Sequence, residues 1–440
     1  MNILKNLLLV SLCIVLQTFL PVCNGQTAGE IEAPNNDLTG AVANVLDFGA
    51  KGDGTTDNTE AFQKALDSID PQGGVVVVPN GQYLFTGSLV IPQSVTLRGP
   101  WNSVTAHNGC RDKGLPKPTD DGATFLITGN ANNEEGEAFI TLNTNSVLQG
   151  IVMYWPNQNE NDVPVPYPWA IKMRGKNPAV LDVELLNPYN GIDASQNERA
   201  LIRNIHGQPL RRGIFVDKIY DIGRIENVHF NPWWSMKPKL FKWQQENGEA
   251  FIFKRTDWHY VLNTFCFGYS VGYEFGGSEA GICNGNFLGI GADACHTAVL
   301  VEQSAQFGIL ITNGEFVAMN GENPTQVVVT ETNTGSIRFN NCAFWGPCEQ
   351  IARLSGRGLT AFSDCEFAQW DRNAKGNFAI NVEGGSVMIR GCNFQEDKNH
   401  VLVKETAQKA IVSENLLRGA AKIQNDCRKA CVVNNIDDAE

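Results

Sequence analysis

The densest polar and aromatic cluster in the chain is AFIFKRTDWHY, where Lys254, Arg255, Asp257 and His259 are interleaved with Trp258 and Tyr260. In such a cluster Lys254 or His259 can abstract a proton beside a carboxylate while Arg255 stabilises the negative charge that develops, which is the chemistry of β-elimination from a polyuronide. Two upstream segments, GIDAS and GIFVD, carry Asp193 and Asp217, and GYEFG downstream carries Glu274. Paired carboxylates allow a different route, in which one protonates a glycosidic oxygen and the other activates water or attacks the sugar. Their proximity raises one pKa and leaves the other group ionised. The candidate catalytic residues are therefore Asp217, Asp193, Lys254, Asp257 and Glu274. The segment NVHFNPWW adds His229, Trp233 and Trp234 ahead of a long excursion, SMKPKLFKWQQENGE. Adjacent Trp side chains on a projecting loop suit a platform on which sugars stack. The candidate binding residues are Arg255, His259, His229, Trp233, Trp234, Trp258 and Tyr260.

Something must bring these distant residues to one place, and a repeat does so. NNCAF, SDCEF and RGCNF put Cys342, Cys365 and Cys392 in equivalent positions, with Phe344, Phe367 and Phe394 two residues on. ENVHF, RNIHG, TNGEF and SENLL are further copies, and they give His206 and His229 matching places. A second ladder runs in phase: AIKMR, GIDAS, GIFVD, AFIFK, GYEFG, AVLVE, QVVVT, AINVE and HVLVK, with typical steps of 22 to 28 residues. One turn of a parallel β-helix has that length, and stacked turns bury one continuous core. Side chains alternate along a strand, so the third and fifth residues of each rung share the outer face. Down the stack these are Lys172 and Arg174, Asp193 and Ser195, Phe215 and Asp217, Ile252 and Lys254, Glu274 and Gly276, Leu300 and Glu302, then Val328 and Thr330, then Ala352 and Leu354. Rungs lie about 4.8 Å apart, which would place Asp193 and Asp217 within range of each other. The three stacked cysteines read as a buried, inert column, and Asn340, Asn341 and Asp364 as turn residues.

Composition sets limits on this reading. With 42% hydrophobic and 18% charged residues the chain supports a large core. A formal charge of −13 argues against a nucleic-acid partner. Lys5, the apolar run from Leu7 to Leu20 and the small-residue exit near Gly25 form a secretory signal pattern over 1–25, too short for a membrane span. Export to a secreted or periplasmic location follows. Val22 disfavours a lipid anchor at Cys23. A linker at 26–43 precedes a β-helix domain over 44–440, whose segment 44–70 caps the stack. There, Asp57 and Glu60 suggest a capping box, followed by Ala61, Phe62, Ala65, Leu66 and Ile69 at helical spacing. Asp47, Asp53 and Asp57 alternate with glycines but lack the terminal Glu of a calcium loop, so they read as turn and cap. Asp120 and Asp121 adjoin in a loop-like stretch. Of the 12 cysteines, Cys427 and Cys431 are close enough for a local bridge, with no second pair of ligands for zinc.

The segment NVLDFGAKGDGTTDNTEAFQKALD, residues 44–67, resembles the N-terminal signature of the pectate-lyase-like superfamily, in its polygalacturonase-related and rhamnogalacturonase-epimerase-like branch. The resemblance implies an all-β fold, a right-handed single-stranded parallel β-helix with an N-terminal capping helix, acting on a polysaccharide. The polygalacturonase motifs do not occur here in their family arrangement, so no mechanism is carried over residue by residue. Three functions stand open: a glycoside hydrolase using carboxylates, a polyuronide lyase, and a non-catalytic carbohydrate-binding protein. No metal or cofactor is called for, calcium being admitted only for the lyase.

Overall fold

The computed structural model describes residues 41–102 and 122–439. The signal segment 1–25, Cys23, the linker up to residue 40, and Asp120 with Asp121 lie outside the described residues. The first strand, Ala41–Asn44, begins inside the segment expected as linker.

Each coil of the chain contributes three short strands, which stack on equivalent strands of the coils before and after. Among the described residues, face I is a sheet of 13 parallel strands, and a 26-stranded sheet folds over a corner to make faces II and III. The fold is the expected right-handed parallel β-helix. In face I the inward column runs Ile171, Ile192, Ile214, Phe251, Tyr273 and Val299, each paired in register with the next. Parallel stacking sets like on like, so Phe251 and Tyr273 lie with ring centroids 4.8 Å apart. On face III, Phe316, Phe344, Phe367 and Phe394 form a second aromatic stack at spacings of 5.2, 5.5 and 4.8 Å. Cys342, Cys365 and Cys392 are buried beside it as free thiols. Cys427 and Cys431 are also free, one buried and one exposed. The expected local bridge does not form.

The corner between faces II and III turns on a single residue in the left-handed region, a conformation that Asn, Asp and Gly reach at least cost. Asp182, Asn204, Asn227, Asn263, Asn313, Asn341 and Asp364 all occupy it, with φ between 50° and 56°. Their side chains also bond along the stack. Asn204 Nδ2 donates to Asp182 Oδ1 at 2.8 Å, Asn227 Nδ2 to Asn204 Oδ1 at 2.9 Å, and Asn341 Nδ2 to Asn313 Oδ1 at 2.8 Å. Asn227→Ala is therefore expected to destabilise the fold by about 2–3 kcal/mol, the sum of a strained alanine and a lost hydrogen bond. Asn227→Gly, free of the backbone strain, should lose less. Equal denaturant midpoints for the two variants would show that the corner conformation is not what Asn227 supplies.

At the N-terminal end, helix α1 (Thr59–Asp67) buries Phe62, Ala65 and Leu66 against the first coils. The expected capping box is replaced by a different arrangement. Asp57 accepts from the Thr59 backbone N–H at 3.1 Å and from the Thr86 hydroxyl at 2.5 Å, while Glu60 pairs with Lys64. Asp53 accepts the N–H groups of Thr55 and Thr56, so the acidic loop closes on its own backbone. A second helix, α2 (Pro238–Asn247), lies on the excursion that follows Trp233 and Trp234.

Candidate functional site

The outer side of face I gathers most of the proposed chemistry, in two columns. One runs Lys172, Asp193, Phe215, Ile252, Glu274 and Leu300. The other lies two residues further along each strand: Arg174, Ser195, Asp217, Lys254, Gly276 and Glu302. Asp193 and Asp217 thus sit on neighbouring rungs but in different columns, because Asp193 pairs with Phe215 and Ser195 with Asp217. They form a diagonal, as their third and fifth places in successive rungs require. Further down, Val328 pairs with Arg353, so Arg353 and Ser355 continue the outer columns where Ala352 and Leu354 were expected.

Neither aspartate is a free carboxylate. Asp193 receives Arg174 at 2.8 Å and the Ser195 N–H at 3.0 Å. Asp217 Oδ1 receives the Arg255 N–H at 3.0 Å and the Ser278 hydroxyl at 2.7 Å. Ser278 belongs to a small hairpin, Gly277–Ser278 with Gly281–Ile282, that folds back over this column. Its Glu279 pairs with Lys218 at 2.6 Å.

The centre of the cluster is Lys254. Its ammonium donates to Glu274 Oε1 and, at 3.1 Å, to Glu302 Oε2. Two carboxylates from successive rungs therefore converge on one cation. The missing side chain at Gly276 makes this possible, since a Cβ there would come within 2.7 Å of the Lys254 Nζ. Burial pushes the Glu274 carboxyl above the ordinary range, and the bond from Lys254 only partly reverses this. Burial also pulls Lys254 down, but its bonds to Glu274 and Glu302 outweigh that and leave its pKa raised. Glu302 was legible in the sequence as the outward residue two rungs after Lys254, yet only the convergence on a shared ammonium makes it a candidate site residue.

An aromatic platform lies on the same face. Trp169 and Phe215 stack at 6.1 Å with an interplanar angle of 27°, both half-buried, and the Arg212 guanidinium lies 5.9 Å from the Trp169 ring. Glu134, on the turn at 129–136, reaches in to pair with Arg212 at 3.3 Å. Lys172 makes no ion pair or hydrogen bond among the described residues and is half-buried. Trp169, Arg212 and Glu134 gave little signal in sequence, because their relation to the charges depends on which rungs stack.

The remaining candidates go elsewhere, since the chain leaves face I after Lys254. Arg255 lies in the turn, stacked 4.3 Å from the Tyr220 ring centroid and donating to the Ile219 carbonyl. Asp257 Oδ2 accepts the Asp221 N–H at 3.3 Å, which makes it a turn residue. Trp258 is 58% exposed at φ 52°, and Tyr260 points outward on face II. His259 turns inward. It is 2% exposed, lies against Phe253 at 5.8 Å, and burial lowers its pKa to about 3. A substrate cannot reach it, so the expected binding role is corrected.

Trp233 and Trp234 are each only 6% exposed and form no sugar platform. Trp233 covers His206 and His229, each at 4.8 Å, and Trp234 joins a separate core with Leu186, Leu210 and Leu240. Gln208 pins the excursion over them by accepting the N–H groups of Trp234 and Ser235. His229 is consequently a packed, half-buried ring whose pKa burial lowers.

A coiled stack with a charged outer face flanked by loops defines a right-handed parallel β-helix. Residues 42–157 match the family model described as rhamnogalacturonase A/epimerase, pectate lyase-like, a similarity in agreement with the resemblance drawn from residues 44–67. A curated relative, alginate lyase 7 of Azotobacter vinelandii, is 38% identical over 114 residues, which is 21% of this chain and 13% of that protein. The exo-poly-alpha-D-galacturonosidase of Dickeya chrysanthemi is 48% identical over 56 residues, 13% of this chain and 9% of that protein. The chain thus spans a small part of the length of these relatives. Among solved structures, the N-terminal fragment of bacteriophage phi29 gene product 12 superimposes with a TM-score of 0.58 at 15% identity, over 85% of this chain and 66% of that one. This likeness concerns the fold. Among the described residues no helix is long and apolar enough to cross a membrane.

Proposed function

We propose that this chain is a carbohydrate-active enzyme that hydrolyses glycosidic bonds of an acidic polysaccharide on the outer side of face I, after export from the cytoplasm. The observation that carries the reading is the sharing of the Lys254 ammonium by Glu274 and Glu302. Glu274, its pKa raised by burial, stays protonated long enough to donate to the leaving oxygen. Glu302, open to solvent, attacks the sugar carbon as the glycosidic bond breaks, and water activated by the then-ionised Glu274 hydrolyses the resulting ester, the double displacement that closely spaced carboxyl groups support. Lys254 holds both carboxyl groups in position. Trp169 and Phe215 offer a stacked apolar surface to pyranose rings, and Lys172 offers an uncommitted charge to a sugar carboxylate. The names of the two relatives, an alginate lyase and a galacturonosidase, support a uronic-acid polymer as substrate. Export rests on the pattern at 1–25.

Elimination fits this site less well. His259 is sealed in the core, and Lys254 is held protonated by two carboxylates, so neither is placed to take a proton. The discriminating measurement is incubation with alginate, polygalacturonate and neutral polymers, scored for reducing ends and for ultraviolet absorbance. Hydrolysis releases reducing ends without a new chromophore. An unsaturated product at the rate of bond cleavage would establish a lyase, and saturable binding without cleavage would establish a binding protein.

A further inference from the structure

Face II carries a feature that the site on face I does not use. Across three successive rungs its outward residues include Tyr260, Leu262, Leu288 and Leu310, between 36 and 42% exposed. Strands facing water ordinarily present polar side chains there. These four line a shallow concavity of about 510 Å³.

The charges around it are as unusual as the apolar floor. Arg224 precedes Tyr260 in one column and Arg338 follows Leu310 in the same column, while Arg203 lies two rungs before Leu262 in the neighbouring one. All three arginines are exposed and none forms an ion pair among the described residues, Arg224 donating to the Ile222 carbonyl at 3.4 Å and helping to lower the Asp221 pKa from a greater distance. The single acidic residue lining the concavity is Glu226, between Arg203 and Leu262. In a chain of formal charge −13, a surface whose outward columns carry three arginines outside any ion pair against Glu226 is locally reversed in sign. Arg224 and Arg338 stand four rungs apart, roughly 19 Å at ~4.8 Å per rung, with the apolar floor between them. An anionic chain with apolar faces matches that layout, and a neutral or cationic one does not.

We propose that face II is a second, non-catalytic docking surface for an acidic polysaccharide. Pyranose CH faces lie on Tyr260, Leu288 and Leu310, and sugar carboxylates meet Arg224 and Arg338. The inference rests on the proposed function only in its choice of an acidic glycan as ligand. The surface holds one stretch of a long polymer while another stretch occupies face I, so it acts by raising the local concentration of substrate.

The test is calorimetry and affinity electrophoresis with long alginate and long polygalacturonate, using dextran as the neutral control. Binding is measured in Glu274→Gln protein so that the polymer stays intact. Adding Arg224→Ala with Arg338→Ala is expected to weaken polymer binding by about tenfold, in a salt-sensitive way. In the otherwise native enzyme the same pair should leave turnover of a short oligosaccharide unchanged. Leu288→Gln with Leu310→Gln should weaken binding without the salt dependence. Unchanged polymer affinity in both pairs overturns the proposal, as does equal binding of dextran. A shift from dimer to monomer in the leucine variant, with polymer affinity intact, also overturns it and makes a second copy of the chain the occupant. Arginine-dependent binding of alginate or polygalacturonate without cleavage of either sustains the docking surface while removing the proposed hydrolase.

Discussion

Glu274→Gln is expected to lower the turnover of a cleaved polysaccharide by roughly 10²–10⁴-fold, the usual contribution of a positioned proton donor, with little change in polymer binding. The amide keeps the shape of the side chain and can still receive the Lys254 ammonium, but it has no proton to give. The pH profile should carry the same signature. Burial raises the Glu274 carboxyl, so activity persists above the ordinary carboxylate range and falls as pH climbs through the raised value and the donor is lost. Lys254 opposes that elevation. Lys254→Met should therefore carry the alkaline limb to higher pH, even as overall activity drops because Glu274 and Glu302 are no longer held together. Reducing-end release measured across pH for the three proteins is sufficient. Near-native turnover in Glu274→Gln, or an alkaline limb that moves down in Lys254→Met, would remove Glu274 from the role of acid.

The second large effect concerns stability. His259 is buried with neither ring nitrogen hydrogen-bonded, and its pKa falls from 6.5 to about 3. Gly223 makes room for the ring, since a Cβ there would stand 2.4 Å from the His259 Cε1. Between pH 6.5 and about 3 the unfolded chain binds a proton at this residue that the folded chain does not. Stability thus rises with pH across that window. The contribution is fully present above pH 6.5 and is lost on acidification, up to about 4–5 kcal/mol at the acid end. His259→Phe, which fills the same space without a titrating group, should lose much less stability between pH 7 and pH 4.5 than the native protein. Urea midpoints at the two pH values provide the comparison. Parallel losses in the two proteins would show that the acid sensitivity comes from other groups, such as His229 or His400, whose pKa values burial also lowers.

The coil and its columns were legible in the linear chain because both are local properties. A strand alternates its side chains whatever surrounds it, so Ile171, Ile192 and Ile214 could be marked as inward and Lys172, Asp193 and Glu274 as outward. A corner in the left-handed region selects Asn, Asp or Gly, which is why Asn341 and Asp364 stood out as turn residues beside their cysteines. Like residues then stack because parallel rungs superimpose equivalent positions.

Contacts between coils were a different matter. Arg174 turns to Asp193, and Ser278 of a hairpin from a later coil turns to Asp217, and neither partner could be read from the rung that carries the aspartate. The absence of a side chain at Gly276 brings Glu302 to Lys254, and no pattern within either segment announces this. Trp233, Trp234 and His259 looked like surface chemistry beside polar neighbours, yet an excursion pinned by Gln208 and a gap opposite Gly223 enclose them. The sequence by itself determined the period, the core and the outward columns, since the short-range geometry of the backbone dictates them. Only the tertiary structure decided which outward groups meet and which are covered, because burial and charge pairing depend on residues brought close from neighbouring coils.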